Sequence, residues 1–184
     1  MRFGAVLLLA SACSAKLLPP DQLSLDAAPH DTDRALDTAV TIDTPPDARP
    51  CTGGDVSMMD ATGTCWLYFH TTPLNWADAK TACENVPSTF AKVLSADEQT
   101  FAAALVGAED AWIGGGDMAT EGTYVWYDNT PITPTFWHAG EPNNGGGGGD
   151  EDCIVLNGVR DGKWDDRACT GASGMYGYVC RFTP

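Results

Sequence analysis

Six cysteines limit what this chain can fold into. Cys51, Cys65, Cys83, Cys153, Cys169 and Cys180 all lie in the later part of a 184-residue sequence, and a seventh, Cys13, stands near the start. An odd total in an exported protein calls for an explanation. If Cys13 has a separate use, the even remainder reads as three disulfides formed in an oxidising compartment. The residues alone leave the pairing open. Zinc is the rival use, but there is no CxxC spacing and only His70 and His138 fall in the same region, a poor ligand set for a structural zinc.

The N-terminus supports export. "MRFGAVLLLASAC" has a basic Arg2, an apolar run from Phe3 to Ala10 and small residues before Cys13. The run is too short to span a bilayer and reads as a signal peptide over 1–12. Small residues followed directly by cysteine resemble the lipobox of bacterial lipoproteins, which implies lipidation of Cys13 and a membrane anchor at the cell surface or outer membrane. The "ASAC" box lacks the usual leucine three residues before the cysteine. The alternative is an ordinary secretory signal cut near Ala12 or Ala15, giving a secreted or periplasmic protein. Residues 13–50 are rich in Pro, Asp, Ala and Thr, with no aromatic residue after Phe3. Such a stretch cannot bury enough apolar surface to offset the entropy of ordering, so it reads as an extended acidic linker.

The domain proper is expected over 51–184. "CTGGDVSMMDATGTC" suits a hairpin or loop closed by a disulfide, and "CWLYFHT" is a strand of aromatic and apolar β formers. A helix is expected over 75–85, N-capped by Asn75 and burying Trp76, Ala79 and Cys83, with Lys80 at its edge. A second is expected over 95–106, where Ser95 and Glu98 form a capping-box pattern and Gly107 stops the helix. "AWIGGGD", "TYVWYD", "CIVLNG" and "YGYVCRF" read as short strands. Between them runs a long loop, 128–152, of the kind that is functional when it is ordered. Trp112, Trp126 and Trp164 are expected in the core, and Trp137 beneath the loop.

The order of the landmarks "CWLYF", "WADAKTAC", "LSADEQTF", "WIGGGD", "YVWYDNTPITPTFWHAGEPNN", "EDC", "GKWDDRAC" and "YGYVCRF" resembles a C-type lectin-like domain, from about Cys51 to Phe182. The resemblance implies an α+β fold with two helices, short antiparallel strands, a long calcium-binding loop and three disulfides. It implies the pairs Cys83–Cys180 and Cys153–Cys169, and Cys51–Cys65 as in the long form of the domain.

Within the loop, "GEPNNGGGGGDEDC" crowds Glu141, Asp150, Glu151 and Asp152 around a glycine run. Like charges a few ångströms apart repel by about 1 kcal/mol in water and about 4 near a protein surface. A hard dication relieves this, and calcium takes oxygen ligands of these types. The competing reading is neutralisation by Arg160, Lys163 and Arg167. By resemblance, "EPN", "EDC" and "WDD" match the family's sugar-binding calcium pattern, with Glu141, Asn143, Glu151, Asp165 and Asp166 as ligands and Pro142 cis. Glu141, Asn143, Glu151 and Asp165 would also meet the sugar, and "EPN" goes with mannose-type vicinal hydroxyls. Asp117, Glu121, Asn144 and Asp152 match an auxiliary calcium position. Asp165 stands where the family more often has Asn, which adds a charge and removes a donor. The "GGGGGD" insert makes this loop about two residues longer than in familiar mannose binders, an extension that glycine's conformational freedom permits.

Net charge is −15, and residues 51–184 hold eighteen acidic against six basic residues, a surface that repels nucleic acid and anionic membranes. Neither a GxSxG nor an HExxH motif occurs, so no enzyme is expected. The expected function is a calcium-dependent carbohydrate-binding surface protein. The alternative is a protein-binding or adhesion domain of the same fold with structural calcium only.

Overall fold

The computed structural model describes residues 49–145, 150–171 and 174–184. The expected signal peptide, Cys13 and nearly all of the expected linker lie outside the described residues. The elements run β1 (Val56–Met59), β2 (Cys65–Leu74), α1 (Trp76–Asn85), β3 (Thr89–Phe90), α2 (Ala96–Val106), β4 (Asp110–Gly116), β5 (Val125–Trp126), β6 (Cys153–Asn157), β7 (Lys163–Arg167) and β8 (Tyr176–Phe182), with a 3-10 turn over Gly158–Arg160. They form one eight-stranded sheet ordered β1-β2-β8-β4-β6-β7, with β3 on β8 and β5 on β4. All pairings are antiparallel except β4 with β8. The last strand therefore returns to the middle of the sheet, beside the first long one. The α+β class with two helices and three disulfides is as the sequence leads one to expect.

Local chemistry sets the helix ends. The Asn75 side chain accepts from the Asp78 N–H at 2.9 Å and starts α1, which buries Trp76, Ala79 and Cys83. Trp76 donates its indole N–H to the Ile113 carbonyl at 2.9 Å, tying α1 to β4. Lys80 stays at the edge and pairs with Glu84 one turn on. For α2, the Ser95 hydroxyl accepts from the Glu98 N–H as expected, but Glu98 does not close a capping box on Ser95. Its carboxylate accepts instead from the Leu94 N–H at 2.6 Å and pairs with Arg181 at 3.0 Å, because β8 brings that guanidinium alongside.

Trp66, Trp112, Trp126 and Trp164 are fully buried, as are Phe90, Ile113 and Ile154. One apolar cluster sits under α2 and includes Trp66, Trp126 and Trp164, while the other sits under α1 and includes Trp112, Phe90 and cysteines of all three disulfides. The disulfides are Cys51–Cys65, Cys83–Cys180 and Cys153–Cys169. Cys51–Cys65 closes the β1–β2 hairpin, and Cys83–Cys180 joins α1 to the central strand β8. Cys153–Cys169 fastens the start of β6 to the segment following β7. Trp137 meets Tyr124 and Trp164 edge-on, with centroids 4.7 and 5.6 Å apart, and so packs beneath the loop.

Two strands escape sequence reading. β7 is "KWDDR", whose charges obscure any strand pattern, and β3 is only two residues long.

Candidate metal centre

The site is assembled on the β6–β7 hairpin. Antiparallel register sets Asp165 opposite Val155 and Asp166 opposite Ile154. The neighbouring Trp164 is locked first. Its indole N–H donates to Gln99 Oε1 at 2.7 Å, and Gln99 Nε2 donates to the Gly162 carbonyl at 2.7 Å. Gln99 lies on the buried face of α2, three residues before Ala102, and this polar residue on an apolar helical face was the missed signal. It fixes the turn before β7, and hence the strand that carries both aspartates.

Asp165 and Asp166 are completely buried. Asp166 holds the long loop, accepting from the Asn143 N–H at 3.1 Å with Oδ1 and from the Asn144 N–H at 2.7 Å with Oδ2. Glu151 accepts from the Gly145 N–H at 3.1 Å, and its own N–H donates to Asn144 Oδ1 at 2.7 Å. The Glu141–Pro142 bond is cis. Asn143 Nδ2 donates to Glu141 Oε2, so the two arms of "EPN" meet each other.

Carboxylate oxygens of Glu141, Asp165 and Asp166 lie within 4.8 Å of one another. Asn143 joins them through Glu141, whereas Glu151, expected as a ligand, falls outside this group and accepts from the Gly145 N–H instead. Two of the three basic residues weighed as counter-charges reach this group. Arg160 Nη1 lies 2.5 Å from Glu141 Oε1 and 3.2 Å from Asp165 Oδ2, and Arg167 Nη2 lies 2.5 Å from Asp165 Oδ2. Lys163 does not; its ammonium sits over the Phe136 ring. Neutralisation is incomplete. The grouped Glu141, Asp165 and Asp166 bring three negative charges and the arginines two positive ones, so one negative charge is left, with Glu151 outside the group adding to the local acidity. Asp165 Oδ1, fully buried, has no hydrogen-bond partner among the described residues. An orphaned buried carboxylate oxygen is costly. Excess negative charge, in an all-oxygen set with an unused buried oxygen, fits a hard dication.

A second acidic group comprises Glu121, Asp150 and Asp152, also within 4.8 Å. Glu121 and Asp152 belong to the expected auxiliary set, whereas Asp150 does not; its place beside "EDC" was the available signal. Asp117 stands outside this triad, nearly buried, with Oδ2 accepting from the Gly122 N–H at 2.7 Å and Oδ1 unpartnered among the described residues. Asn144 turns its donor side to the triad, giving Nδ2 contacts to Glu121 and Asp150 at 3.1 and 2.9 Å. Its carbonyl oxygen is used by Glu151. Asp117 and the triad are joined where β4 ends, since a Cβ at Gly116 would lie 2.4 Å from the Asp152 carbonyl. Only glycine lets the strand come so close, and the Asp117 N–H then bonds that same carbonyl at 3.0 Å.

Burial, then repulsion from Asp166, raises the carboxyls of Glu151 and Asp117 above their ordinary range. Burial and the charges of Asp150 and Asp117 raise Asp152. Groups with raised folded values contribute stability below their unfolded pKa and lose it as pH rises through the folded pKa. With chelator present, the melting midpoint should therefore rise as pH falls from 7 towards 5. Asp60 and Asp55 are shifted the opposite way and act only below that window. Thermal melts in EDTA across this range check the sign, and a midpoint that falls steadily over it would refute the assignment.

A binding domain of the C-type lectin class is what this sheet topology, disulfide set and loop define, and sequence comparison agrees. The family model described as Lectin C-type domain matches residues 72–182, and the chain belongs to that family. It is 36% identical over 113 residues to the low affinity immunoglobulin epsilon Fc receptor of Mus musculus, a match covering 61% of this chain and 32% of the receptor. The chain thus spans about a third of that relative's length. Among solved structures, the cow C-type carbohydrate-recognition domain of CD23, determined in the presence of a GlcNAc2Man3 oligosaccharide, superposes with a TM-score of 0.62 at 30% identity, covering 73% of this chain and 98% of that one. A calcium-independent type II antifreeze protein shares the fold, with a TM-score of 0.60 at 23% identity over 73% of this chain and 97% of its own. The relatives of this domain are non-enzymatic receptors and carbohydrate-binding proteins.

Proposed function

We propose that the domain is a calcium-dependent carbohydrate-binding module of an exported protein, selective for mannose-type vicinal hydroxyls. The observation that carries this is the buried, unpartnered Asp165 oxygen in an all-oxygen group that two arginines leave net negative. Glu141, Asn143, Glu151, Asp165 and Asp166 would hold the ion. Glu121, Asp150 and Asp152, with Asp117 and Asn144 beside them, would form an auxiliary site. A bound calcium would supply open coordination positions for two sugar hydroxyls. The chain's residues provide the polarity: Glu141 accepts from a hydroxyl and the Asn143 amide donates to one. Asp165 can only accept, so this site offers one donor fewer than an asparagine there would. The GlcNAc2Man3 oligosaccharide present with the cow CD23 domain contains mannose, which supports the sugar class. Nothing in the acidic surface favours nucleic acid.

Attachment of the chain by lipid at Cys13, as a bacterial surface lipoprotein, remains part of the proposal; the relatives above are animal proteins and do not bear on it. Retention on immobilised mannose is expected in calcium, with release by EDTA and by free mannose but not by galactose. Retention unaffected by EDTA would overturn the reading. A second reading is recognition of a protein with calcium serving only the scaffold, favoured by the likeness to the mouse immunoglobulin receptor. Binding to a protein ligand that survives EDTA would establish it.

A further inference from the structure

The arginines at the metal centre differ in how they are held. Arg167 belongs to β7; it donates to the Asp166 carbonyl at 3.0 Å as well as pairing with Asp165. Two anchors on a strand keep it in place. Arg160 ends the short 3-10 turn between β6 and β7, and its side chain is 32% exposed. Among the described residues, its side-chain polar contacts are Glu141 and Asp165, both made through Nη1. Those partners are buried, with side-chain exposures of 5% and 0%. A guanidinium nitrogen therefore reaches in from solvent and rests between two carboxylates that also border the orphaned Asp165 oxygen.

We propose that Arg160 is a built-in competitor of the cation. It closes the Glu141–Asp165 side of the site in the ion-free protein and is expelled towards solvent when a dication takes those oxygens. The proposal rests on the calcium reading above and deepens it. A guanidinium and a dication cannot share these two carboxylates without strong mutual repulsion at low local dielectric. Of the two arginines, Arg160 is the one free to leave, since its second guanidinium arm has no polar partner among the described residues, whereas both arms of Arg167 do. Asp165 fits the same scheme. The charge it adds, where the family more often carries an amide, is consumed by Arg160 and Arg167. The ion-free site is thereby kept folded, at the expense of cation affinity.

The experiment is a calcium titration by calorimetry, with parallel thermal melts in EDTA and in calcium, on the disulfide-intact chain and on Arg160→Gln. The variant should bind calcium about tenfold more tightly, which corresponds to about 1.4 kcal/mol. Its midpoint in EDTA should fall while its calcium-induced rise grows. Arg160→Lys, with a single ammonium in place of the fork, should tighten binding by a smaller factor. This second variant keeps the test open if Arg160→Gln loses its near-UV dichroism. Wild-type binding with no tightening in either folded variant would overturn the competitor role and leave the calcium site standing. Absence of calcium binding by the wild type and both variants would overturn both.

Discussion

Replacing Cys83 and Cys180 together by alanine is expected to cost the domain about 4–5 kcal/mol, the value of closing a loop of about 100 residues in the chain-entropy account. The bond spans 97 residues, against 14 for Cys51–Cys65 and 16 for Cys153–Cys169. The shorter loops should be worth about 3 kcal/mol each by the same account. Position adds to length. Both sulfurs lie in the core, and the bond holds α1 against β8, the strand that joins the β1–β2 hairpin to the rest of the sheet. Without it, α1 keeps the Trp76 indole bond to Ile113 and a Trp76 N–H bond to the Cys169 carbonyl at 3.1 Å. That second contact itself depends on the segment fastened by Cys153–Cys169. Denaturant unfolding of the three double-alanine variants checks the order. If all three lose the same stability, loop length is not what these bonds contribute.

Much of this fold could be read because local chemistry and long-range packing agree. Asn75 and Ser95 cap the helices from within their own sequence, and "CWLYF" carries its β preference in five consecutive residues. β7 could not be read this way. Its Asp165 and Asp166 look like solvent-facing charges, yet they are buried because Arg160, Arg167, Asn157 and the Asn143–Asn144 N–H groups reach them from other segments. No periodicity in "KWDDR" encodes those partners. The Glu98 capping box failed for the same kind of reason, since a competing donor and cation come from Leu94 and distant Arg181. At the candidate site, the grouping of Glu141 with Asp165 and Asp166 was legible, because carboxylates and amides crowded beside glycine mark one acidic locus. The allocation of individual oxygens was not. Which arginine enters, which face of Asn144 turns inward, and whether Asp117 or Asp150 joins Glu121 and Asp152 all depend on side-chain directions set by the tertiary fold.

Asp166→Ala is expected to abolish calcium-dependent retention on mannose, by more than about 100-fold in affinity, a loss of about 2.7 kcal/mol or more. Two losses coincide in this substitution. One is a proposed ligand in the acidic group with Glu141 and Asp165. The other is the anchor of the loop, because both Asp166 oxygens accept backbone N–H bonds, from Asn143 and from Asn144. Those bonds hold the Asn143 amide beside Glu141 and hold Asn144 where it meets the Glu151 N–H. The Asn143 and Asn144 N–H groups, on exposed residues, would lose part-buried bonds, which should also cost the ion-free protein about 1 kcal/mol each. Asn143→Ala separates the two roles. Its side chain donates only to Glu141 among the described residues, so it should lose sugar retention with a nearly unchanged melting midpoint in EDTA. Glu141→Ala should behave likewise, although it also releases Arg160. Comparing the three variants in EDTA and in calcium therefore distinguishes ligand from scaffold. If Asp166→Ala retained a wild-type calcium-induced rise in midpoint, the ion would have to bind elsewhere, and the reading of "EPN" and "WDD" as one site would fail.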